Sequence, residues 1–412
     1  QEAYYAASPY NFVRLILGKK EAGDNGHQNV YTRAARWLDE WIQQGVLVPE
    51  RQPAIYPYFQ DYTVPGTKER RLRKSFIALG RLEDYGARIV HRHELTHTGP
   101  KKDRLELLRH TRAHFGQLFM IYSDPQGEID KMLESVVRAQ KPIDVRDSYD
   151  AAHRLWTLTD TKTIARVQEL MAEKKLIIAD GHHRYETALA YRNECREKAG
   201  KSDPEAPWEK AMMTFVNMDG PGVTVLPTHR VVHSLKEFSF EAFRERVSEW
   251  FDWYAYPVDA GQSRAGASPR LLRDLADRGA QRVSFGVAPA GEQALYLFLL
   301  KPNADLAKLL PDVSASQRKL DLVVLHRLLL ERGLGVDQEA VRELRNVRYA
   351  REVEDALGQV DRGEAQMVFL VNATRVEQVR EVALGGETLP QKSTDFYPKM
   401  LSGLTLYRLE RP

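Results

Sequence analysis

Apolar residues along this chain recur in two rhythms that alternate from end to end. Short unbroken or alternating apolar runs predict strands, and stretches with apolar positions every three or four residues predict helices. In "NVYTRAARWLDEWIQQGVL", Val30, Ala34, Trp37, Leu38 and Trp41 fall at helical spacing, which predicts an amphipathic helix ending near Gly45. "AIYPYFQDYTV" and "KSFIALGRLEDY" predict two strands joined by a turn at Pro65 and Gly66. "YNFVRLILG" and "ARIVHRHELT" read as extended. "KDRLELLRHTRAHF", "EIDKMLESVVRAQK" and "DTKTIARVQELMAEK" read as helices, the last with Asp160 as N-cap. "LFMIYSD" and "KLIIAD" are predicted buried strands, and "EKAMMTFVNMD" another strand. "YETALAYRNECREKAG" predicts a helix closed by Gly200. "FEAFRERVSEWFDWY" reads as helical throughout. Further strands are expected at "RVSFGVA", "QALYLFLL" and "QMVFLV", and helices over 316–332, 338–345, 353–358 and 375–383. Mixed elements without an internal repeat place the chain in the α/β or α+β class.

A length of 412 residues calls for two or three domains. The expected division is an N-terminal segment over 1–75, a core over 76–256, and a C-terminal α/β region over 271–412 that contributes a loop to the site. "PVDAGQSRAGASPR" (257–270) is the most linker-like stretch. Hydrophobic residues at 43% and charged residues at 28% are ordinary for a soluble globular protein. A formal net charge of +3 supplies no large field for nucleic acid or a membrane surface. No helix-turn-helix pattern stands out either. The basic run "TKERRLRK" (67–74) reads as a solvated loop. The single cysteine, Cys195, excludes an intrachain disulfide and a thiolate metal cluster, and it fits a reducing cytoplasm. No apolar run is long enough to span a membrane, and the chain opens without a signal pattern. The absence of an initial Met suggests that the numbering begins downstream of the natural start. The oligomeric state is not legible.

One motif carries most of the candidate chemistry. "IADGHHRYET" (178–187) ends an apolar strand and begins a helix. Gly181 permits a tight turn. The first helical turn offers unpaired N–H groups and partial positive charge, and Arg184 adds a fixed cation. Such a strand–glycine–helix junction is an anion cradle. His182 and His183 can donate hydrogen bonds to it. Asp180 could cap the helix or hold a magnesium ion bound to phosphates. Metal ligation by both histidines is disfavoured, because adjacent residues do not readily aim at one ion.

Three further clusters share this character. "HRHELTHTGPKKDR" holds His91, His93, Glu94, His97, Lys101, Lys102, Asp103 and Arg104. Glu94 is a candidate general base for a substrate hydroxyl, and Lys102 and Arg104 are candidate phosphate contacts. A metal held by His91 and His93 on one strand face is the alternative, and Asp103 as a helix cap is the structural one. "PTHR" places His229 and Arg230 at a strand end as a second anion-binding candidate. "PQKSTDFYPK" (390–399) gathers Lys392, Ser393, Thr394 and Lys399 in one loop, without the glycines of a P-loop.

"ADGHHRYETAL" resembles the signature turn of the ParB/sulfiredoxin-like superfamily, which includes archaeal free serine kinases. The resemblance implies a nucleotide-binding core, with phosphate contacts from Gly181, His182, His183 and Arg184. His182 stands where sulfiredoxins keep a catalytic cysteine, so sulfiredoxin chemistry is not expected. Over nearly the whole chain, "HELTHTGPKKDRLELLR", "IADGHHRYETAL", "LPTHRVVH" and "LPQKSTDFYPKMLSGL" resemble the family called domain of unknown function 1015. Leu389 and Asp395 depart from its usual residues. Members are often encoded beside serine-biosynthesis enzymes, which implies a serine-linked role. Together these features predict a nucleotide-dependent kinase acting on a small hydroxyl metabolite such as serine, using Mg²⁺ with ATP or ADP. Glu94, Asp180, His182 and His183 are its expected catalytic residues. A phosphatase for a small phosphorylated metabolite and a non-catalytic nucleotide- or metabolite-binding regulator are the alternatives.

Overall fold

The structure, a computed structural model, describes residues 1–94, 99–200 and 203–409. Helices and strands interleave throughout, which places the chain in the mixed α/β class. The chain divides into two compact units, Gln1–Thr224 with Pro398–Pro412 and Val225–Tyr397. These divisions fall elsewhere than composition suggested. Residues 1–75 belong to the first unit, and their strand Tyr56–Thr63 lies inside its sheet.

The first unit is built on a mixed sheet. Its order is Val90–His91, Leu176–Asp180, Leu118–Tyr122, Lys210–Asn217, Ser75–Arg81, Tyr56–Thr63, Ala152–Leu155 and Ile143–Arg146, with Arg70–Arg73 also paired to Tyr56–Thr63. Lys210–Asn217 runs parallel to Leu118–Tyr122 and antiparallel to Ser75–Arg81. All five residues of Leu118–Tyr122 are buried, as an unbroken apolar run in a covered sheet should be. Phe76, Met120, Ile178, Tyr185, Met213 and Phe215 join one core. The strand Leu176–Asp180 is thereby held on both edges, by Leu118–Tyr122 and by Val90–His91. The end of the chain returns to this unit, where Tyr407–Arg408 pairs with Ala113–His114.

The second unit carries an antiparallel sheet ordered Phe251–Pro257, Ala294–Leu300, Ser284–Pro289, Met367–Leu370, His229–Val232 and Val347–Ala350. Leu271 and Leu275 of the helix Arg264–Gly279 pack with Ala356 and Leu357 of the helix Val353–Asp361 against its core.

Several local expectations give way to tertiary context. "TKERRLRK" is an exposed loop only over 67–69, because Arg70–Arg73 is a strand whose last side chain is fully buried. "YNFVRLILG" contains a short helix, Val13–Ile16, started by the Asn11 side chain accepting from the Val13 N–H at 3.1 Å. "ARIVHRHELT" is a strand only over Val90–His91. "FEAFRERVSEWFDWY" splits into the helix Phe240–Val247 and the strand Phe251–Pro257, which pairs residue by residue with Ala294–Leu300. The linker-like 257–270 contains the start of the helix Arg264–Gly279, capped by Ser263. The helix expected over 316–332 is broken into Ala315–Arg318, Asp321–Val324 and a π-helical stretch, Leu325–Gly333. Asp160 caps its helix as expected, accepting from the Thr163 N–H at 2.8 Å. No helix of the described residues is long and apolar enough to cross a membrane.

Candidate functional site

The strand Leu176–Asp180 runs through Gly181 into the helix His182–Ala199. Gly181 has φ of +98°, in the left-handed region that side chains resist. It occupies the N-cap position, and no side chain caps the helix there. Asp180 therefore does not act as the cap. Its Oδ2 accepts from Arg184 Nη2 at 3.0 Å, and its Oδ1 lies 3.6 Å from Lys399 Nζ. Partial burial alone would raise the Asp180 pKa, but the fields of Lys399 and Arg184 outweigh it and hold the carboxyl below its usual range.

Arg184 folds back over the turn. Its Nη2 also donates to the Gln117 carbonyl at 3.1 Å, while its Nε is buried without a hydrogen-bond partner. An unsatisfied guanidinium N–H beside a glycine-capped helix start is what an anion oxygen would satisfy. Gln117 is itself fixed, with Oε1 accepting from Thr214 Oγ1 at 2.9 Å.

Beneath the turn lie two buried imidazoles. His93 Nδ1 donates to the Ile178 carbonyl at 2.6 Å. The His93 backbone N–H reaches His182 Nε2 at 3.4 Å, and the two rings meet edge to face at 4.7 Å. Because His182 Nε2 accepts, its proton sits on Nδ1. Burial and the neighbouring His93 push the His182 pKa well below its usual value, so it is neutral at pH 7. Burial likewise lowers His93, against the opposing fields of Glu94 and Asp180. Glu94, Asp180 and Lys399 all act on His93, and Asp180, His183 and Arg184 all act on His182. The fold thus gathers Glu94, Asp180, Gly181, His182, His183, Arg184 and Lys399 around one strand–helix junction.

Other expected residues lie elsewhere. Lys102 and Arg104 are exposed on the helix Gly99–Thr111. Asp103 lies inside that helix and accepts from the Tyr31 hydroxyl at 2.8 Å, so it does not cap it. His97 and the Lys101 side chain fall outside the described residues. His91 Nε2 contacts the Arg88 carbonyl at 3.0 Å, and no metal-holding group of three His, Cys, Asp or Glu occurs among the described residues. A magnesium ion on Asp180 fits poorly for a more direct reason. Both of its oxygens already lie near cations, which repel a divalent ion, and Arg184 takes up a lone pair of Oδ2.

His229, Arg230, Lys392, Ser393 and Thr394 belong to the second unit. Arg230, expected to bind phosphate, is fully buried. It donates to the carbonyls of Thr228, Gln391 (3.1 Å) and Lys392 (3.2 Å) and to His326 Nε2 (3.4 Å). Its guanidinium braces the 390–394 loop and is not presented to a ligand. Lys392 is exposed with φ of +56°, Thr394 is half-buried, and Ser393 turns inward, its Oγ donating to the Pro390 carbonyl at 2.5 Å. His229 Nδ1 accepts from the Val371 N–H at 3.2 Å.

Burial, with the charge of Arg230 second, pushes His229 down to about 4 and His326 to about 3. Folded values below the unfolded 6.5 mean that this stability is present above pH 6.5 and is lost as pH falls toward the folded values. Each group contributes about 1.4 kcal/mol per pH unit over that window. Thermal melts should therefore fall steeply as the pH drops from about 6 to about 4. His229→Asn, whose Oδ1 can replace Nδ1 as acceptor, should flatten the slope. An unchanged slope would show that His229 does not drive it.

The described features define a mixed α/β protein with a glycine-capped strand–helix junction where Arg184 and Lys399 meet Asp180. Residues 1–323 match the family described as "Protein of unknown function (DUF1015)", and the chain belongs to that family. No curated protein matches it. Among solved structures, a conserved hypothetical protein from Pyrococcus furiosus is 13% identical, with a TM-score of 0.35 over 79% of this chain and 93% of its own. A free serine kinase in complex with AMP is 13% identical, with a TM-score of 0.37 over 78% of this chain and 86% of its own. C-terminally truncated SbnI from Staphylococcus aureus is 10% identical, with a TM-score of 0.36 over 79% and 85%.

Proposed function

We propose that the protein is a nucleotide-dependent phosphotransferase acting on a small hydroxyl metabolite, with serine the first substrate to test. One observation carries this reading. Arg184 and Lys399 converge on Asp180 at a glycine-capped helix start, with an unsatisfied Arg184 N–H facing the turn. In this reading Arg184, Lys399, His183 and the first-turn amides hold the phosphates. Neutral His182 offers its Nδ1–H to a phosphate oxygen, and Glu94 takes the proton of the substrate hydroxyl. Asp180 is an internal stand-in for the anion, occupying both cations until a phosphate displaces it. Any divalent ion arrives as part of the nucleotide substrate.

The role given to Asp180 has a signed consequence. Asp180→Asn removes a charge that competes with phosphate and repels it. That is worth about 1 kcal/mol at a solvated site, or roughly a fivefold tightening of ADP binding. A resident magnesium ligand would give the opposite sign. Calorimetric titration with ADP distinguishes the two. Incubation with ATP or ADP and serine, followed by phosphoserine detection, tests turnover. Absence of nucleotide binding by the wild-type chain would sink the phosphotransferase reading.

A further inference from the structure

Lys399 is exposed at the end of a flexible stem, yet the backbone beneath it is held from the interior of the first unit. Three backbone polar groups within residues 398–401 are gripped by side chains from the interior of the sheet. The Pro398 carbonyl accepts from Arg73 Nη2, the Lys399 carbonyl accepts from Gln60 Nε2 at 3.0 Å, and the Leu401 N–H donates to the Tyr58 hydroxyl at 3.2 Å. Arg73 and Gln60 also hold each other, with Arg73 Nε donating to Gln60 Oε1 at 3.0 Å. Arg73 is fully buried over the Phe119 ring at 4.8 Å, and burial lowers it to about 10, still cationic at neutral pH. Met400 and Leu404 pack against the small core of Tyr58, Ile77, Leu155 and Met212.

The Tyr58 hydroxyl is aimed by a directional chain. Asp147 Oδ1 accepts from the Tyr149 and Ala151 N–H groups, both at 2.9 Å, which fixes the carboxylate. Its Oδ2 accepts from His153 Nε2 at 3.1 Å. That places the imidazole proton on Nε2 and leaves a lone pair on Nδ1. Nδ1 accepts from the Tyr58 hydroxyl at 2.6 Å, and the Tyr58 oxygen is then turned to accept from Leu401. Gln60 Nε2 approaches the same His153 nitrogen at 3.3 Å, which agrees with Nδ1 as acceptor. Burial lowers the His153 pKa despite Asp147, keeping the ring in this neutral state. Tyr58 and His153 are 0% and 1% exposed, so neither can touch a ligand.

We infer that Tyr58, His153 and Asp147 are positioning residues that set the root of Lys399 so that its ammonium meets the cradle at Asp180. This rests on the anion-cradle reading of the site. A lysine side chain loses substantial rotamer entropy when it is ordered, so a fixed root lowers the cost of recruiting its charge to an anion.

The test is a double-mutant cycle between Tyr58→Phe and Lys399→Ala, read by calorimetric titration with ADP, with hydrogen exchange of the 398–404 peptide as a second readout. Tyr58→Phe should speed exchange in that peptide. It should weaken ADP binding about fivefold when Lys399 is present and have no effect in the Lys399→Ala background. Unchanged exchange, unchanged affinity, or an equal loss in both backgrounds would overturn the inference. If Lys399→Ala itself binds ADP like the wild type, it is the reading of Lys399 as a phosphate ligand that fails, and the exchange result still decides whether the clamp exists. Should Tyr58→Phe not fold, Asp147→Asn perturbs the same chain from its partly exposed end, and the same outcomes apply.

Discussion

Replacing Arg184 with alanine should weaken ADP binding roughly 30- to 150-fold, the loss expected for a charge-assisted contact worth about 2–3 kcal/mol. Arg184 links the parts of the turn. It contacts Asp180 at 3.0 Å and the Gln117 carbonyl at 3.1 Å, and its Nε has no partner. Its side chain is 36% exposed, so solvent screens its pair with Asp180, and the effect on folding stability should be small. That separation makes the result interpretable. A large loss of binding with an unchanged melting temperature assigns Arg184 to the ligand. Unchanged ADP binding would remove the anion cradle as an account of the motif. Arg184→Lys should recover only part of the affinity, because an ammonium cannot reproduce the planar fork.

Gly181→Ala should cost both stability and binding. The residue's φ of +98° imposes roughly 1–2 kcal/mol of strain on any side chain. A Cβ there would also lie 2.8 Å from Arg184 Nη2, 3.0 Å from Nε and 3.1 Å from Cζ. The guanidinium would have to swing away, breaking its bonds to Asp180 and Gln117. Gly66→Ala is the matched control. Gly66 has φ of +75° but nothing within 4 Å of an added Cβ, so it should carry the strain without the loss of ADP binding. Equal binding losses in the two variants would show that backbone strain, and not the space above Gly181, governs the site. Normal ADP binding by Gly181→Ala would contradict the cradle geometry directly.

The difference between these two glycines shows what a sequence conveys. Each marks a left-handed turn, and each was recognisable as a turn from its neighbours. Only the folded chain shows that one is pressed against a guanidinium and the other against solvent. The basic run at 67–74 makes the same point in reverse. Its composition argued for solvation, because composition cannot express that Phe119, Gln60 and the Pro398 carbonyl surround Arg73. Nothing local announced His153 or Asp147 either. Their significance comes from contacts with Tyr58, 95 residues away from His153 in the chain. Residues 251–254, expected at the end of a helix, become part of the strand Phe251–Pro257, because pairing with Ala294–Leu300 outweighs local propensity.

What could be read directly was local in origin. The strand Leu176–Asp180, the turn at Gly181, the helix to Ala199 and the cap at Asp160 depend on neighbours within a few residues, so periodicity and capping chemistry reveal them. The anion-binding role proposed for the Asp180–Arg184 turn belongs to the same class, since it rests on backbone geometry and one neighbouring cation. The partnering of its charges was decided only by tertiary structure. Lys399 reaches Asp180 from the far end of the chain, whereas Arg230 and Ser393, alike in type to ligand-binding residues, are turned inward to brace a loop. Charge and hydrogen-bonding capacity are properties of a residue, but whether they face a ligand or another part of the protein depends on contacts that no local pattern encodes.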